Sequence, residues 1–390
     1  VTQGRKVLPL PKAIVKEIIE KRYVKRPTTG SIIRNVCPLF CVPRPDGKLR
    51  LIWDGRELNR QCKDPPPFHL RPIGDHLKAL LDPDIELYIV WDMRSWFVQL
   101  RPHPLIATLF GVYLMGLPFI LCGLPMGWSW APAIAQFTGE GVAARILAKL
   151  TSFIVQNLVA LVYIDNMIMG LRKPITHHKD TIMETIVQEA KICGAIIKEG
   201  SLISGTTVEW LGTEISTRIG STQPQYTHGY RLKASFVRKF GTLATSMLQP
   251  PRKSFPIRSW YALISSSIFA TWTKQVELCT ISPLTMWMAI LCGEVSKPKD
   301  WDKEVVCPEV VQEMLTALAK KISANRWTSL PKWIQDLPIT TVGVSDASAE
   351  ALAWAFHSHR SMQLCIFPNP RPREPIFFAE TEAMLAGCMA

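Results

Sequence analysis

The stretch that decides the fold is Leu161–Leu171, LVYIDNMIMGL, in which two apolar runs flank the polar pair Asp165-Asn166. Valine, isoleucine and tyrosine favour β-strands, and a two-residue polar connector between such runs is typical of a β-hairpin. The pattern predicts a hairpin that exposes the Asp165 carboxylate at its tip. Taken alone, the same pattern also fits an ordinary connecting turn with no chemical role.

A second isolated carboxylate follows another strand-like run. Residues 86–91 read ELYIVW, and Asp92 comes directly after them. Two carboxylates at the ends of neighbouring strands are the ligands that a two-metal phosphoryl-transfer site requires. Mg²⁺ prefers oxygen ligands and takes one or two of them from protein, while phosphates and water supply the rest. Asp92 and Asp165 are therefore candidate metal ligands, provided that they converge and that neither is locked in an internal salt bridge.

Four further segments carry motif-like patterns. The first contains a turn by composition, Pro43–Lys48, with cations on both sides, and such a basic loop can close over a triphosphate. An ordinary solvated hairpin is the alternative for this loop. The four segments are Arg34–Arg60 (RNVCPLFCVPRPDGKLRLIWDGRELNR), Leu117–Gln136 (LPFILCGLPMGWSWAPAIAQ), Cys193–Lys198 (CGAIIK) and Trp210–Gly212 (WLG).

Together with the two acids, these segments resemble, in order, the motifs of retroelement reverse transcriptases. The resemblance implies template-primer-dependent deoxynucleotidyl transfer with two Mg²⁺ ions at Asp92 and Asp165, or Mn²⁺ as an alternative ion. Its partners would be an RNA or DNA template with a primer, and deoxynucleoside triphosphates. The main departure is Asn166, because most relatives carry a second aspartate there. Asparagine keeps an oxygen but lacks the charge, which predicts a weaker metal site.

The resemblance also assigns roles to residues near the reacting groups. Lys48 and Arg50 would bind the triphosphate, and a guanidinium offers a planar fork to phosphate oxygens. The ring of Phe97 would exclude a 2′-hydroxyl, and Lys198 would supply a proton or a charge to the leaving pyrophosphate. The plainer alternatives are surface cations for Lys48, Arg50 and Lys198, and a core aromatic for Phe97.

Two more sets of residues are assigned by the same resemblance. Met126 and Gly127 would lie against the nucleotide or template, where a glycine permits close approach of the backbone. A turn that leads into a helix is the alternative for this pair. Trp210, Leu211 and Gly212 resemble the primer grip.

The end of the chain holds a second pair of acids. Asp346 ends a strand-like run, and Glu380 lies in the first turn of a predicted helix. The pair resembles the opening of a retroelement ribonuclease H domain, which needs further carboxylates to hold two metals. Since the sequence ends at Ala390, we expect a truncated domain without ribonuclease H activity. The order of modules resembles a retroelement polyprotein of the LTR type or, from its compact thumb-like segment, of the tyrosine-recombinase (DIRS) type.

The composition favours a nucleic-acid partner. The 390 residues carry a formal net charge of +13, and nucleic acid is the first anionic partner expected for so basic a chain. A membrane surface is the competing partner, but no polybasic run adjoins an apolar span. Prolines and glycines interrupt the longest uncharged stretch, residues 102–139, and no signal peptide is visible. We therefore expect an intracellular protein without a membrane-spanning helix.

The predicted fold class is α+β, a right-hand polymerase followed by an incomplete α/β segment. We expect residues 1–225 to form fingers and palm, and residues 226–335 a basic helical thumb or connection-like module. Residues 336–390 would form the N-terminal part of a ribonuclease H-like domain. The leading functional hypothesis is an RNA-directed DNA polymerase. The alternatives are a catalytically impaired nucleic-acid-binding remnant and a structural protein that keeps only the fold.

Overall fold

In the computed structural model the chain divides into two compact units, Val1–Ser329 and Leu330–Ala390. The structure describes residues 8–28, 32–43, 49–68, 70–218, 228–249, 254–273, 281–329, 341–347, 351–358 and 362–368. The first elements are α1 (Lys12–Glu20), β1 (Val24–Lys25), β2 (Leu39–Pro43), β3 (Leu49–Trp53), α2 (Arg56–Gln61), α3 (Ile73–Leu80), β4 (Ile85–Asp92), α4 (Trp96–Gln99), α5 (Pro104–Ala107), β5 (Gly111–Leu114) and β6 (Leu117–Leu121).

The rest of the first unit alternates between strands and helices before it becomes mainly helical. Two 3₁₀ segments lie within it, at Lys173–His178 and Pro298–Asp302. Its other elements are α6 (Ala131–Leu147), α7 (Ser152–Gln156), β7 (Leu158–Tyr163), β8 (Asn166–Arg172), α8 (Lys179–Ile192), β9 (Ile203–Gly205), β10 (Thr207–Trp210), β11 (Thr213–Ser216), β12 (Gly229–Leu232), α9 (Ala234–Leu248), β13 (Ser254–Pro256), α10 (Ile257–Thr273), α11 (Ser282–Gly293), β14 (Glu304–Val306) and α12 (Glu309–Ala324).

A four-stranded antiparallel sheet, in the order β7-β8-β4-β9, carries both predicted acids. Strands β7 and β8 form the predicted hairpin, and β4 lies beside β8 so that Asp92 pairs with Asn166. Ile89 of β4 lies in one buried cluster with Ile146 of α6 and Ile186 of α8. Burial of each such side chain contributes about 1.5–3 kcal/mol. The two helices therefore fix the sheet from one face and hold the ends of its strands in place.

The connector of the hairpin differs by one residue from the prediction. Strand β7 ends at Tyr163 and β8 begins at Asn166, so the two linking residues are Ile164 and Asp165. Ile164 has a φ of 57°, a left-handed conformation that is unfavourable for a β-branched residue. The side-chain oxygen of Gln136 accepts a hydrogen bond from the Ile164 N–H at 2.7 Å. This contact from α6 stabilises a turn that local sequence preference does not favour.

Two smaller sheets and an aromatic cluster lie outside the central sheet. Strands β1, β6 and β5 form a three-stranded sheet, and β2 and β3 form a separate hairpin. The Trp53 ring of β3 packs edge-on against the Phe110 ring, with 5.8 Å between their centroids. The centroids of the Phe110 and Trp128 rings lie 5.1 Å apart. Because Trp128 lies just before α6, this cluster joins the β2–β3 hairpin to the helix that supports the turn before Asp165.

Helices α9, α10, α11 and α12 form a helical module and share one buried core. The apolar tract of residues 261–291 contains the end of α10 at Thr273 and the start of α11 at Ser282. Pro283 lies in the first turn of α11, where proline is favoured because its missing N–H is not needed. That proline is the sequence signal for the second helix.

The described part of the second unit is an antiparallel sheet of β15 (Thr341–Ala347), β16 (Ala351–Ser358) and β17 (Met362–Pro368). Asp346 lies on β15, where its backbone pairs with Ala353 of β16. Glu380, the other acid predicted for this region, lies outside the described residues. The strand predicted to end in Asp346 and the strand that follows it are therefore both present.

Several kinds of site are absent from the described parts of the chain. No helix among them is both long enough and apolar enough to span a bilayer. No three His, Cys, Asp or Glu side chains gather there as a metal cluster, and the free thiols are those of Cys37, Cys41, Cys62, Cys122, Cys193, Cys292 and Cys307. The described residues thus form no site built on zinc-type ligands.

Candidate active site

The two predicted metal ligands converge at one edge of the central sheet. The Met93 N–H, next to Asp92, donates a hydrogen bond to the Asp165 carbonyl oxygen at 2.8 Å. Both carboxylates line a cavity of about 430 Å³. The convergence follows from the antiparallel register of β4 and β8, which brings residues 73 positions apart to neighbouring strand ends. The other residues that line this cavity are Met93, Arg94, Ser95, Lys198 and Glu199.

Helix α6 lies directly beneath the tip of the hairpin. A Cβ atom placed on Gly139 would lie 3.0 Å from the Ile164 carbonyl oxygen and 3.0 Å from a Val162 methyl. One half-turn further along the same helix, a Cβ on Gly141 would meet nothing within 4 Å. Gly139 therefore permits the close approach that places Asp165, whereas Gly141 has no such role.

This pair of glycines gives a matched test of the packing. We expect Gly139→Ala to lower the free energy of unfolding by about 1–3 kcal/mol, because the added methyl overpacks a backbone contact. Gly141→Ala is expected to raise it by about 0.5–1 kcal/mol, since alanine is the better helix former. Urea denaturation of both variants measures the difference. Equal effects of the two substitutions would contradict the close packing of α6 under the tip.

The environment of Asp165 disfavours a bare negative charge. Burial raises the pKa of the Asp165 carboxyl above its ordinary value, and the charge of Asp92 acts in the same direction. The Lys198 ammonium and the Asn166 amide oppose this rise, and the Asn166 Nδ2 donates to Asp165 Oδ1 at 3.0 Å. A cation placed between the two carboxylates would favour their charged forms.

Lys198 contacts the other acid through both its backbone and its side chain. Its N–H donates to the Asp92 carbonyl oxygen at 2.8 Å, and its Nζ lies 2.8 Å from Asp92 Oδ2. The carboxylate of Asp92 is thus in a salt bridge with Lys198. Such a bridge would rule out a shared metal only if the pair were locked inside the protein. The Lys198 side chain is 59% exposed and that of Asp92 is 27% exposed. A pair this accessible is weak, so a divalent cation can displace it.

Two residues of this region carried no predicted role. The Asp92 N–H donates to Ser201 Oγ at 3.1 Å, while the Ser201 hydroxyl lies 2.7 Å from the Lys198 carbonyl oxygen. The side chain of Gln99 bonds to the backbone of Ile196. The Asp92–Ser201 and Gln99–Ile196 contacts each join residues about 100 positions apart, so no local pattern could have identified them.

The structure describes some of the predicted nucleotide-binding residues but not all of them. Arg50 is exposed on β3, whereas Lys48 lies outside the described residues. Phe97 is half-buried in the short helix α4 and packs against both the central cluster and the aromatic cluster around Trp53. Part of its ring is therefore core, as the plainer alternative expected, and part of it remains accessible.

Gly127 is required by the protein's own packing. A Cβ atom at this position would lie 2.6 Å from the Trp53 carbonyl oxygen. The side chain of Asn59 donates to the Gly127 carbonyl oxygen at 2.7 Å, which ties α2 to the loop before α6. The neighbouring Met126 side chain is 63% exposed. The close approach at Gly127 is thus between the loop before α6 and the end of β3, whereas the Met126 side chain is exposed.

The residues predicted as a primer grip form the β10–β11 hairpin. Leu211 and Gly212 have φ values of 44° and 84°, as a tight two-residue turn between twisted strands requires. Trp210 is buried, and its ring lies 5.6 Å from that of His76. A Cβ on Gly212 would lie 3.1 Å from the Phe269 ring of α10. The hairpin therefore joins the central sheet to the helical module.

His76 is a buried imidazole in this junction. Its ring lies 6.0 Å from Tyr163 and its Nδ1 has no hydrogen-bond partner among the described residues. Burial lowers the pKa of His76 below its ordinary value, and the charge of Arg71 adds to the effect. The folded state therefore prefers the neutral ring. Its contribution to stability is complete above the unfolded pKa of about 6.5 and is lost as the pH falls below it.

We expect the midpoint temperature of thermal unfolding to decrease as the pH is lowered from about 7.5 to about 5, partly because protonation of the buried His76 ring is unfavourable in the folded state. In a His76→Phe variant this part of the decline is removed, so the variant gains relative stability as the pH is lowered. Thermal unfolding at a series of pH values measures the effect, and His177→Phe, at an exposed position, serves as the control. Parallel pH profiles of wild type and His76→Phe would contradict the assignment.

Comparison with known families gives the class of the domain. A family model described as reverse transcriptase (RNA-dependent DNA polymerase) matches residues 42–215. This range includes Asp92, Asp165 and the hairpin between them. The chain therefore contains a reverse transcriptase domain, and the prediction from the ordered motifs is confirmed at that level.

The relatives are retroviral. The chain is 26% identical over 216 residues to the Pol polyprotein of an ovine maedi visna related virus, covering 52% of this chain and 18% of that protein. It is 26% identical over 210 residues to the Pol polyprotein of caprine arthritis encephalitis virus, covering 49% of this chain and 17% of that protein. The chain thus spans less than a fifth of the length of these relatives.

A solved structure shows the same fold. The foamy viral protease-reverse transcriptase dRH in complex with double-stranded DNA superposes with a TM-score of 0.58 at 15% identity, covering 96% of this chain and 58% of that one. A foamy viral protease-reverse transcriptase bound to an RNA/DNA hybrid gives a TM-score of 0.56 at 14% identity, covering 99% and 48%. The mixed α/β architecture is therefore consistent with a polymerase fold.

Proposed function

We propose that this chain is the polymerase part of a retroelement protein and catalyses RNA-directed DNA synthesis from a primer. The observation that carries the proposal is the convergence of Asp92 and Asp165 beside a cavity at one edge of an antiparallel sheet. Residues 1–225 would form fingers and palm and residues 226–335 the thumb or connection. The substrates would be deoxynucleoside triphosphates and an RNA or DNA template with its primer.

The ligands present fit two divalent cations. Asp92 and Asp165 offer carboxylate oxygens, and Mg²⁺ needs only one or two such ligands when phosphates and water complete its shell. The raised pKa of Asp165 supports the fit, because a neighbouring cation would relieve the penalty on its charge. When bound, two Mg²⁺ or Mn²⁺ ions would activate the primer 3′-hydroxyl and neutralise charge on the triphosphate.

The protein's own contribution is alignment and the placement of charge, since phosphoryl-type transfer needs little covalent help. The two aspartates would hold the ions and so place the primer end in line with the α-phosphate. Lys198, whose ammonium lies in the same cavity, would give a proton or a charge to the leaving pyrophosphate. Arg50 and Lys48 would bind the triphosphate from the fingers.

Other residues would select and guide the substrates. The accessible part of the Phe97 ring would exclude a 2′-hydroxyl, and Met126 with Gly127 would lie against the nascent base pair. The hairpin of Trp210, Leu211 and Gly212 would support the primer. Exposed cations of α9, Arg238 and Lys239, are suited to sequence-independent contact with the nucleic-acid backbone.

For the second unit we propose the beginning of a ribonuclease H-like domain in an LTR-type or DIRS-type element. Three antiparallel strands, with Asp346 on the first, support this proposal. Glu380 would be the next acid of that site. Such a site would need further carboxylates beyond Asp346 and Glu380 to hold two metals.

A catalytically impaired remnant is the second candidate, and Asn166 is the observation that favours it. Its amide donates to Asp165 Oδ1 instead of adding a charge to the site. Extension of oligo(dT) on poly(rA) with Mg²⁺ and dTTP separates the two candidates. Incorporation above background supports the polymerase. Tight, salt-sensitive binding of the template-primer without incorporation would support the remnant instead.

Replacement of Asn166 by aspartate tests how close this residue lies to the metal. We expect Asn166→Asp to lower the Mg²⁺ concentration for half-maximal incorporation about tenfold, because a further carboxylate increases the charge of the ligand set. Without Mg²⁺, the variant should be less stable than wild type, since it places like charges together. Gln188→Glu on α8 adds the same charge at an exposed position and serves as control. An unchanged Mg²⁺ requirement would place Asn166 outside the metal site.

A further inference from the structure

Gln99, at the end of α4, forms a bridge between the two segments that meet beside Asp92. Its side-chain oxygen accepts the Ile196 N–H at 2.7 Å, and its amide nitrogen donates to the Ile196 carbonyl oxygen at 3.1 Å. The same nitrogen donates to the Arg94 carbonyl oxygen. The Arg94 N–H in turn donates to the Ile196 carbonyl oxygen at 2.9 Å. The Gln99 amide thus binds the N–H and the carbonyl oxygen of Ile196 and the carbonyl oxygen of Arg94.

The bridge lies two residues before Lys198. Met93 and Ile197 form an isolated antiparallel bridge, and the Lys198 N–H then bonds to the Asp92 carbonyl oxygen. From Ile196 onward, therefore, the chain runs beside the segment that follows Asp92. The direction in which the lysine side chain leaves the backbone depends on this alignment.

Packing fixes the turn that carries this segment only in part: Ala195 is buried and Ile197 packs against the central cluster, but Ile196 between them does not. The Ile196 side chain is 54% exposed, so it contributes little burial. Gly194 has a φ of 70°, and Gly194 and Gln99 both line a second cavity, of about 390 Å³, behind the turn. Where a loop has an empty space behind it and an exposed apolar residue on it, directional hydrogen bonds decide its position.

We infer that Gln99 is the positioning residue for Lys198: it holds the turn at Ile196 so that the ammonium stays at the edge of the cavity that both aspartates line. This inference rests on the proposed polymerase function, in which Lys198 acts on the leaving group. Gln99 lines the second cavity rather than the first, and its effect on the reaction passes through Lys198.

The kinetic test uses Gln99→Met, which keeps the length of the side chain and removes both hydrogen-bonding groups. Single-nucleotide incorporation, measured by rapid quench, separates the maximal rate from the dTTP concentration at half-maximal rate. We expect the maximal rate to fall about tenfold, because a small misplacement of a group that acts on the leaving oxygen is costly. The half-maximal dTTP concentration should change less than threefold. Gln188→Met on α8, at an exposed position, is the matched control.

A double variant distinguishes positioning from general support of the fold. If Gln99 acts through Lys198, then Gln99→Met together with Lys198→Ala should be no slower than Lys198→Ala alone. A Gln99→Met effect that multiplies that of Lys198→Ala would overturn the inference and leave Gln99 as a structural brace. Gln99→Glu keeps the acceptor for the Ile196 N–H but sets a carboxylate oxygen against the carbonyl oxygens of Arg94 and Ile196, so it should be as slow as Gln99→Met.

Amide hydrogen exchange tests the positioning role of Gln99 independently of the proposed function. In Gln99→Met we expect faster exchange at the Lys198 amide, with unchanged exchange in β7 and β8. If the wild type incorporates no nucleotide, the proposed function fails whatever the exchange shows. If the wild type is active and the Lys198 amide exchanges at the same rate in Gln99→Met, the positioning role is wrong.

Discussion

Replacing Asp165 by asparagine is expected to lower primer extension at least about a thousandfold, which corresponds to about 4 kcal/mol of lost transition-state stabilisation. The substitution keeps the shape of the side chain and removes a charge that two cations would share with Asp92. Asp92→Asn should have an effect of the same order. Rates of dTTP incorporation on poly(rA)/oligo(dT) at saturating Mg²⁺ measure both variants.

The fold should survive the substitution of Asp165. Since burial and the charge of Asp92 raise the pKa of Asp165, its neutral replacement removes an unfavourable charge from the metal-free protein. We therefore expect Asp165→Asn to unfold at the same or a higher denaturant concentration and to bind template-primer like the wild type. Asp180→Asn, at an exposed position of α8, controls for loss of a carboxylate elsewhere. Extension by Asp165→Asn within tenfold of wild type would contradict a metal-binding role.

Replacing Lys198 by alanine is expected to reduce the maximal rate of incorporation by roughly a hundredfold, the usual contribution of a proton donor in the transition state. The same change removes the partner of Asp92 Oδ2. We therefore expect the variant without substrates to bind Mn²⁺ more tightly than wild type, because the cation no longer competes with an ammonium. A slower reaction with tighter metal binding is a combination that general misfolding would not produce.

Lys198→Arg separates the two roles left open for this lysine. A guanidinium keeps the positive charge but does not give up a proton in this pH range. If the role is proton donation, the arginine variant should be as slow as Lys198→Ala; if the role is charge alone, it should recover most of the rate. Incorporation by Lys198→Ala within threefold of wild type would remove the residue from the reaction altogether.

The sequence predicted the parts of this site that depend on local pattern. Strand-like runs that end in Asp92 and surround Asp165 are short-range signals, and the structure contains both strands and the hairpin. The resemblance of ordered motifs then indicated that the two acids belong together. The antiparallel register that makes them neighbours is a long-range property, and no single segment carries it.

What the sequence did not predict depends on contacts between distant segments. The connector shifts by one residue to Ile164-Asp165 because Gln136 of α6 bonds to the Ile164 N–H. Gln99 and Ser201 received no role, because Ile196 and Asp92, the residues that they contact in the site, lie about 100 positions away. Gly127 was expected to lie against substrate, and the structure adds a close approach that no local pattern indicates, to the Trp53 carbonyl oxygen of the same chain.

The salt bridge between Asp92 and Lys198 also required the structure. Each residue was predicted for the site, yet nothing in the sequence paired them. The accessible geometry of the pair, together with the raised pKa of Asp165, describes a site whose charges are balanced only in part by protein groups. A divalent cation would complete that balance.

Metal-directed cleavage of the backbone tests the central claim most directly. Fe²⁺ bound in place of Mg²⁺ generates hydroxyl radicals with ascorbate and peroxide, and these cut the nearest peptide bonds. We expect cuts beside Asp92, Asp165 and Lys198, suppressed by excess Mg²⁺ and absent in a variant that carries both Asp92→Asn and Asp165→Asn. Cuts confined to other parts of the chain, or cuts at these sites that persist in the double variant, would contradict the shared metal site.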